Sequence, residues 1–265
     1  MTTMQIIMLA VVQGVTEFLP ISSSGHLVLV PRIIGFQDQG IIFDVAVHLG
    51  SLVAVCVYFR DDLYFLLKST PSNFKLNTMG KGSRLFSFLL IATLPAAILG
   101  FLLSDWIEVN LRDPIVIAST LAFYGILMWA ADSMGSKKIS LDDMKFSDAI
   151  IIGFSQALAL IPGTSRSGIT MTAALILGVK RTEAAKFSFL LSIPIIGLAS
   201  GYKLLMILFN NISVIWGELL LGMIVSMVIA YLSIGFFMGI IKRIGLMPFA
   251  LYRIALSGVI FWLFA

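Results

Sequence analysis

Residues 4–35 read MQIIMLAVVQGVTEFLPISSSGHLVLVPRIIG, an apolar run broken near its middle by Pro20-Ile21-Ser22-Ser23-Ser24-Gly25 and carrying one acid, Glu17. A bilayer-spanning helix needs about 20 mostly apolar residues; each half of this stretch has only about 11 to 17. Residues 147–178 repeat the pattern, interrupted by Pro162-Gly163-Thr164-Ser165-Arg166-Ser167-Gly168. Irregular backbone at membrane depth is tolerated only where protein or a water-filled cavity satisfies its N–H and C=O groups. Each stretch is therefore read as a re-entrant helical pair whose tip lines an enclosed site, in preference to a loop between two full spans.

The rest of the chain fits that reading. Hydrophobic residues make up 59% of the 265 and charged residues 12%, with a mean hydropathy of +1.02, against about 45–50% and 25% in a soluble domain. Six uninterrupted apolar segments are long enough to span: 41–59, 85–104, 114–132, 187–208, 216–240 and 247–264. No polar stretch is long enough to link independent units, so residues 1–265 are read as a single integral membrane domain of the all-α polytopic class. Residues 1–20 lack a basic leader and carry Glu17, so no cleaved signal peptide is expected. Cys56, the single cysteine, lies in an apolar run and reads as a small buried side chain. The net charge of +4 is spread over short loops, which argues against nucleic acid as a partner.

The two broken stretches resemble each other. Aligning Pro20 with Pro162 puts Gln13 opposite Ser155, and each motif is followed by three spans. Three is odd, so the second half (133–265) is an inverted-topology repeat of the first (1–132). Basic residues concentrate in four connections: Arg60, Lys68, Lys75, Lys81 and Arg84; Lys137, Lys138 and Lys145; Lys180, Arg181 and Lys186; Lys242 and Arg243. Under the six-span reading all four fall on one side, cytoplasmic by the positive-inside rule. Residues 36–40, 105–113, 209–215 and both termini then lie outside, and the two re-entrant tips meet near the midplane.

An ionisable group inside an apolar segment is costly and by default functional, which singles out Glu17 and Arg166. Gln13 precedes Glu17 by four and shares its helix face, so the two offer hard oxygen ligands suited to Mg²⁺ or Ca²⁺; a plain Gln13–Glu17 hydrogen bond is the bland alternative. Ser22, Ser23, Ser24 and Gly25 read as a capped helix N-terminus, as do Gly163, Thr164, Ser165, Ser167 and Gly168. Helix N-termini bind anions, and the planar fork of Arg166 suits phosphate. His26 is a candidate acid, base or nucleophile. His48, four residues after Asp44, is read as packing or hydrogen-bonding, and Tyr252 and Arg253 as interfacial anchors.

Gln13-Gly-Val-Thr-Glu17-Phe-Leu-Pro20-Ile-Ser-Ser-Ser-Gly-His26 and Pro162-Gly-Thr-Ser-Arg-Ser-Gly-Ile-Thr170 together resemble the undecaprenyl-diphosphatase family, also called UppP or BacA, along the whole chain. The resemblance implies a multi-pass enzyme of the bacterial plasma membrane that hydrolyses undecaprenyl diphosphate to undecaprenyl phosphate and inorganic phosphate. It also implies divalent-metal dependence, recycling of the lipid carrier for peptidoglycan synthesis, and bacitracin resistance. Carried over, the family's Glu/Gln positions fall on Gln13 and Glu17, and its Ser, His and Arg positions on Ser23, His26 and Arg166. A neutral amide at Gln13 weakens the hold on a cation, leaving Glu17 and the substrate phosphates as the main ligands. The expected mechanism has Arg166, helix N-termini and a metal neutralising the diphosphate while His26 activates Ser23 or water. Phosphate contacts are expected from Ser22, Ser24, Gly163, Thr164, Ser165, Ser167 and Thr170. The partners expected are a polyprenyl diphosphate and membrane lipid; a homodimer stays open. An inverted repeat around a midplane site also describes a transporter that flips the lipid carrier.

Overall fold

The computed structural model describes residues 1–36, 39–69, 80–134, 137–209 and 215–264. Its helices are α1 (Thr3–Thr16), α2 (Ser23–Ile34), α3 (Gly40–Tyr58), α4 (Arg60–Lys68), α5 (Lys81–Asn110), α6 (Pro114–Met134), α7 (Phe146–Ala157), α8 (Arg166–Ile176), α9 (Arg181–Phe209), α10 (Trp216–Ile244) and α11 (Met247–Phe264). Among the described residues the protein is all-helical, and six helices are long and apolar enough to cross a membrane: Gly40–Tyr58, Lys81–Ser104, Pro114–Met134, Arg181–Ile207, Trp216–Ile244 and Met247–Phe264. They coincide with the six expected spans. Leu94, Phe101, Leu232, Phe236 and Trp262 on these helices are more than half exposed, an apolar surface that water would not tolerate and lipid does. This is a multi-pass membrane protein.

The broken stretches fold as short limbs. At 1.5 Å per residue, the 14 residues of α1 cover about 21 Å and the 11 of α8 about 17 Å, short of a hydrocarbon core of about 30 Å. Thr2 and Gln5 cap α1 reciprocally, Thr2 N–H donating to Gln5 Oε1 (2.8 Å) and Gln5 N–H to Thr2 Oγ1 (3.3 Å). In each pair the second limb packs back on the first, α2 on α1 and α8 on α7. The strand-like bridge between Ile139 and Val179, with Ile139 N–H donating to the Gly178 carbonyl and Lys180 N–H to that of Ile139 (both 3.0 Å), ties the entry of the second pair to its exit. That pair enters and leaves on one side.

Contacts cross between the halves. Limb α1 packs on α10, where Gly14 has no room for a side chain against Ile229 and the Ser226 carbonyl; α7 packs on α5, where Gly153 abuts the Ala92 backbone. One core cluster holds Phe18, Phe88 and Met128 from the first half with Met171, Phe189 and Phe237 from the second.

Charges sort by side as the loops predict. Lys81 pairs with Asp142 (2.5 Å) and Lys186 with Asp62 (2.6 Å). Buried Asp132 accepts from Arg181 Nε (2.6 Å), Arg181 Nη2 (3.0 Å) and the Leu246 N–H (2.9 Å), with Lys137 Nζ 3.5 Å away. These bonds join all four basic connections; Lys75 lies outside the described residues. The first of them, expected as plain loop, contains α4, an amphipathic helix that buries Leu66. On the opposite side the Met1 ammonium lies 3.3 Å from Glu218 at the start of α10.

Candidate active site

Glu17 caps the end of α1 and is 7% exposed. Both its oxygens are engaged. Oε2 accepts from Ser23 Oγ (2.7 Å) and Gln13 Nε2 (3.1 Å), and Oε1 accepts from Arg166 Nη2 (3.0 Å). The second guanidinium nitrogen, Nη1, donates to the Ser188 carbonyl (2.9 Å), and the cation sits 5.9 Å from the Phe18 ring centroid. His48 Nε2 lies 3.7 Å from Glu17 Oε2; its Nδ1 contacts the Asp44 carbonyl (2.7 Å), which can only accept, so Nδ1 carries the proton. The re-entrant tips therefore meet, joined by Arg166–Glu17 and by Ser167 Oγ donating to the Leu19 carbonyl (3.2 Å).

The turns that present these groups are near-copies. Ser22 and Ser165 both have positive φ (75° and 69°), and each hydroxyl accepts from a backbone N–H three residues on, Gly25 (3.3 Å) and Gly168 (3.1 Å). This geometry corrects the register read from sequence. Counting from the cap serines pairs Gln13 with Gln156 rather than Ser155, and Pro20 with Gly163 rather than Pro162, because the second motif is one residue longer between its proline and its glycine. Gln13 and Gln156 are both buried, and both have an amide oxygen without a partner among the described residues.

A cavity of about 370 Å³ opens over this cluster, with Glu17, Ser23, Arg166, Asp44 and His48 in its walls and Arg112 and Lys203 among its other lining residues. Ser24 and Ser165 line it too. The remaining expected phosphate contacts sit behind the wall. Ser22 is a cap, Thr170 Oγ1 contacts Ser188 Oγ (2.7 Å), and Thr164 is fully buried, while Gly163 (φ 90°) abuts Thr120 and the Ile117 backbone so closely that no Cβ fits. They shape the loop rather than face the cavity.

Residues 6–259 match the family described as bacitracin resistance protein BacA. The chain belongs to this family. It is similar to proteins named undecaprenyl-diphosphatase from Teredinibacter turnerae (48% identical, covering 98% of this chain and 99% of that one), Alteromonas mediterranea (48%; 99% and 98%) and Alcanivorax borkumensis (49%; 98% and 98%).

Several sequence readings change within this frame. His26 does not touch Ser23 and is not among the cavity's lining residues; its Nδ1–H donates to the Ser22 carbonyl (2.7 Å), and its Nε2 is 2.7 Å from Tyr252 Oη, the rings stacked 5.7 Å apart. Tyr252 thus braces α2 from α11 rather than merely anchoring at an interface. Arg253, also read as an anchor, is 0% exposed. His48, read as packing or hydrogen-bonding, hydrogen-bonds the Asp44 carbonyl and in addition reaches Glu17. No spacing rule could pair it with Glu17, since the pairing requires α3 to lie beside α1.

A cation fits this donor set in part. Among the described residues no three His, Cys, Asp or Glu side chains gather to hold one. Yet Gln13 must turn its amide N toward the carboxylate, which leaves Oε1, a hard oxygen donor, unsatisfied beside Glu17.

Proposed function

We propose that this protein hydrolyses undecaprenyl diphosphate to undecaprenyl phosphate and inorganic phosphate, with Ser23 as nucleophile and Glu17 as its base. The observation that carries the reading is the contact chain Ser23–Glu17–Arg166 on the cavity wall. The shared name of the relatives supports the substrate.

The Ser23 hydroxyl already directs its proton at Glu17 Oε2, which suits Glu17 better than His26 for the basic role. Ser23 Oγ attacks the terminal phosphorus, its proton passes to Glu17, and the bond from that phosphorus to the bridging oxygen breaks, releasing undecaprenyl phosphate. Water then attacks the phosphoseryl group, the P–Oγ bond breaks, and Glu17 returns the proton to Ser23 as inorganic phosphate leaves. Arg166 and the N-terminal N–H groups of α8 bind the oxygens on which charge builds in a loose phosphoryl-transfer transition state. A divalent cation, Mg²⁺ or Ca²⁺, would be held by the Glu17 carboxylate, Gln13 Oε1 and substrate oxygens, and would supply charge neutralisation.

The cavity runs from Glu17 toward Arg112 and Lys203, away from the basic connections. With those connections in the cytoplasm, it opens to the outer leaflet of the plasma membrane. The test is phosphate release from undecaprenyl diphosphate by purified protein in detergent micelles, where no second leaflet exists. Release that disappears in Ser23→Ala and Glu17→Gln is expected; an inert wild-type protein would sink the reading and favour a transporter.

A further inference from the structure

Arg253, seven residues into α11, has no carboxylate partner among the described residues and is 0% exposed. Its guanidinium is spent on main-chain oxygens: Nη2 donates to the carbonyls of Gly163 (3.0 Å) and Thr164 (2.8 Å), and Nε to that of Leu121 (3.3 Å). The third nitrogen, Nη1, has no acceptor and lies against Gly168, where an added Cβ would come within 2.8 Å. From α6, Thr120 Oγ1 donates to the Pro162 carbonyl (2.6 Å). Three consecutive carbonyls of the second loop are thus held from behind by α6 and α11.

We infer that Arg253 is a positioning residue for phosphoryl transfer, turning the Thr164–Ser165 peptide so that its N–H faces the cavity and placing an unneutralised positive charge behind that loop. This rests on the function proposed above. A trans peptide points its C=O and the following N–H in opposite directions. Anchoring the Thr164 carbonyl on Arg253 therefore turns the Ser165 N–H away from α11, toward the cavity that Ser165 and Arg166 line. Ser165 at φ 69° is in a region that side chains rarely adopt and persists only where surroundings hold it. Two contacts brace it, the Gly168 N–H donated to the Ser165 hydroxyl, as at Ser22, and the Arg253 bond to the Thr164 carbonyl, which the first turn lacks among the described residues. Burying an unpaired cation is costly, and packing alone would be served by an apolar side chain of the same length. The charge earns its place by acting on an anion at the N-terminal turn of α8. A Cβ on Gly168 would meet the guanidinium at 2.8 Å and the Ser165 hydroxyl at 3.1 Å, so Arg253 would have to shift to admit one.

The test compares Arg253→Lys, Arg253→Met and Arg166→Ala with wild type in micelles. Measured are kcat and KM for undecaprenyl diphosphate, inhibition by inorganic phosphate, and the unfolding temperature. Arg253→Met is expected to lose about 10²-fold in kcat, the scale of one transition-state donor, and to bind inorganic phosphate about tenfold more weakly. In Arg253→Lys, which keeps the charge but not the fork, about half of the kcat loss on a logarithmic scale returns. A folded Arg253→Met with wild-type kcat and phosphate inhibition would overturn the inference. If Arg253→Met does not fold, Arg253→Lys decides: a kcat reduced about fivefold or more at an unchanged unfolding temperature supports it, and wild-type kcat overturns it. Arg166→Ala separates the two readings. If it too retains wild-type turnover, the site assignment has failed; if it alone is inactive, only the role of Arg253 has.

Discussion

Ser23 and Arg166 occupy the same place in the two halves of the protein: each is the first residue of a helix that follows a positive-φ serine, and each reaches the carboxylate of Glu17, at 2.7 and 3.0 Å. In the proposed mechanism one fold element thus presents the nucleophile from one half and the phosphate-binding cation from the other. Neighbouring serines should then differ sharply. Ser23→Ala is expected to cut phosphate release by about 10³-fold or more, as loss of a nucleophile does. Ser22→Ala and Ser165→Ala remove a cap bond, about 0.5–2 kcal/mol each, and a long contact to the Ser24 or Ser167 hydroxyl, and should retain measurable turnover with a lower unfolding temperature. Equal losses in all three would argue against a distinct chemical role for Ser23. Phosphate trapped on the wild type and absent from Ser23→Ala would place the intermediate.

The Glu17–Arg166 pair is buried, and breaking a buried pair from one side typically costs about 3–5 kcal/mol because the other charge is left uncompensated. Arg166→Met alone should therefore lower the unfolding temperature more than Glu17→Gln/Arg166→Met together. Both should be inactive. Thermal unfolding in one detergent reads the difference, and a double variant less stable than Arg166→Met would show that the pair is not coupled as the geometry requires.

The close approach of α7 to α5 makes a stability prediction that leaves the chemistry aside. A Cβ on Gly153 would meet the Ala92 backbone at 2.8 Å, whereas at Gly197 in α9 nothing lies within 4 Å. Gly153→Ala should destabilise by about 1–3 kcal/mol, the range for overpacking. Gly197→Ala should be neutral or gain about 0.5–1 kcal/mol from helix propensity. Similar unfolding temperatures for the two variants would contradict the packing of α7 on α5.

Which parts of this were legible in sequence follows from what each signal depends on. The six spans and two broken limbs depend on local hydropathy and length, and both survive intact. Glu17 and Arg166 stood out because a charge inside an apolar segment needs no partner to be conspicuous. Their contact joins residues far apart in sequence, and only the inferred inversion of the halves brought the two tips together. The longer-range contacts of His48 and Arg253 are not legible in sequence for one reason: they are made by a neighbouring helix. His48 matters because α3 places it against Glu17, and Arg253 because α6 and α11 close over the second loop. Near the start of a span, an arginine reads by default as snorkelling to the interface. In the proposed mechanism the Ser23 proton goes to Glu17 because the chain reverses between α1 and α2 and sets the Ser23 hydroxyl on Glu17 Oε2, a turn that spacing alone does not orient.

Gln13 yields the last prediction. Its amide nitrogen is held by Glu17, so its oxygen is a fixed but neutral donor, and a cation held there would depend on one carboxylate and on substrate phosphates. Gln13→Glu would put a second carboxylate beside Glu17 on the same helix face. Two like charges so close favour a bound cation between them and penalise its absence. After chelation and back-titration, this variant should reach half-maximal activity at a Mg²⁺ concentration about tenfold lower than wild type, with a larger loss of activity when the metal is removed. Gln13→Leu, which abolishes the oxygen ligand, should shift the requirement the other way. If all three proteins titrate alike, or if a chelator leaves wild-type turnover unchanged, the cation is not held at Gln13 and Glu17, and Arg166 with the loop N–H groups must neutralise the diphosphate alone.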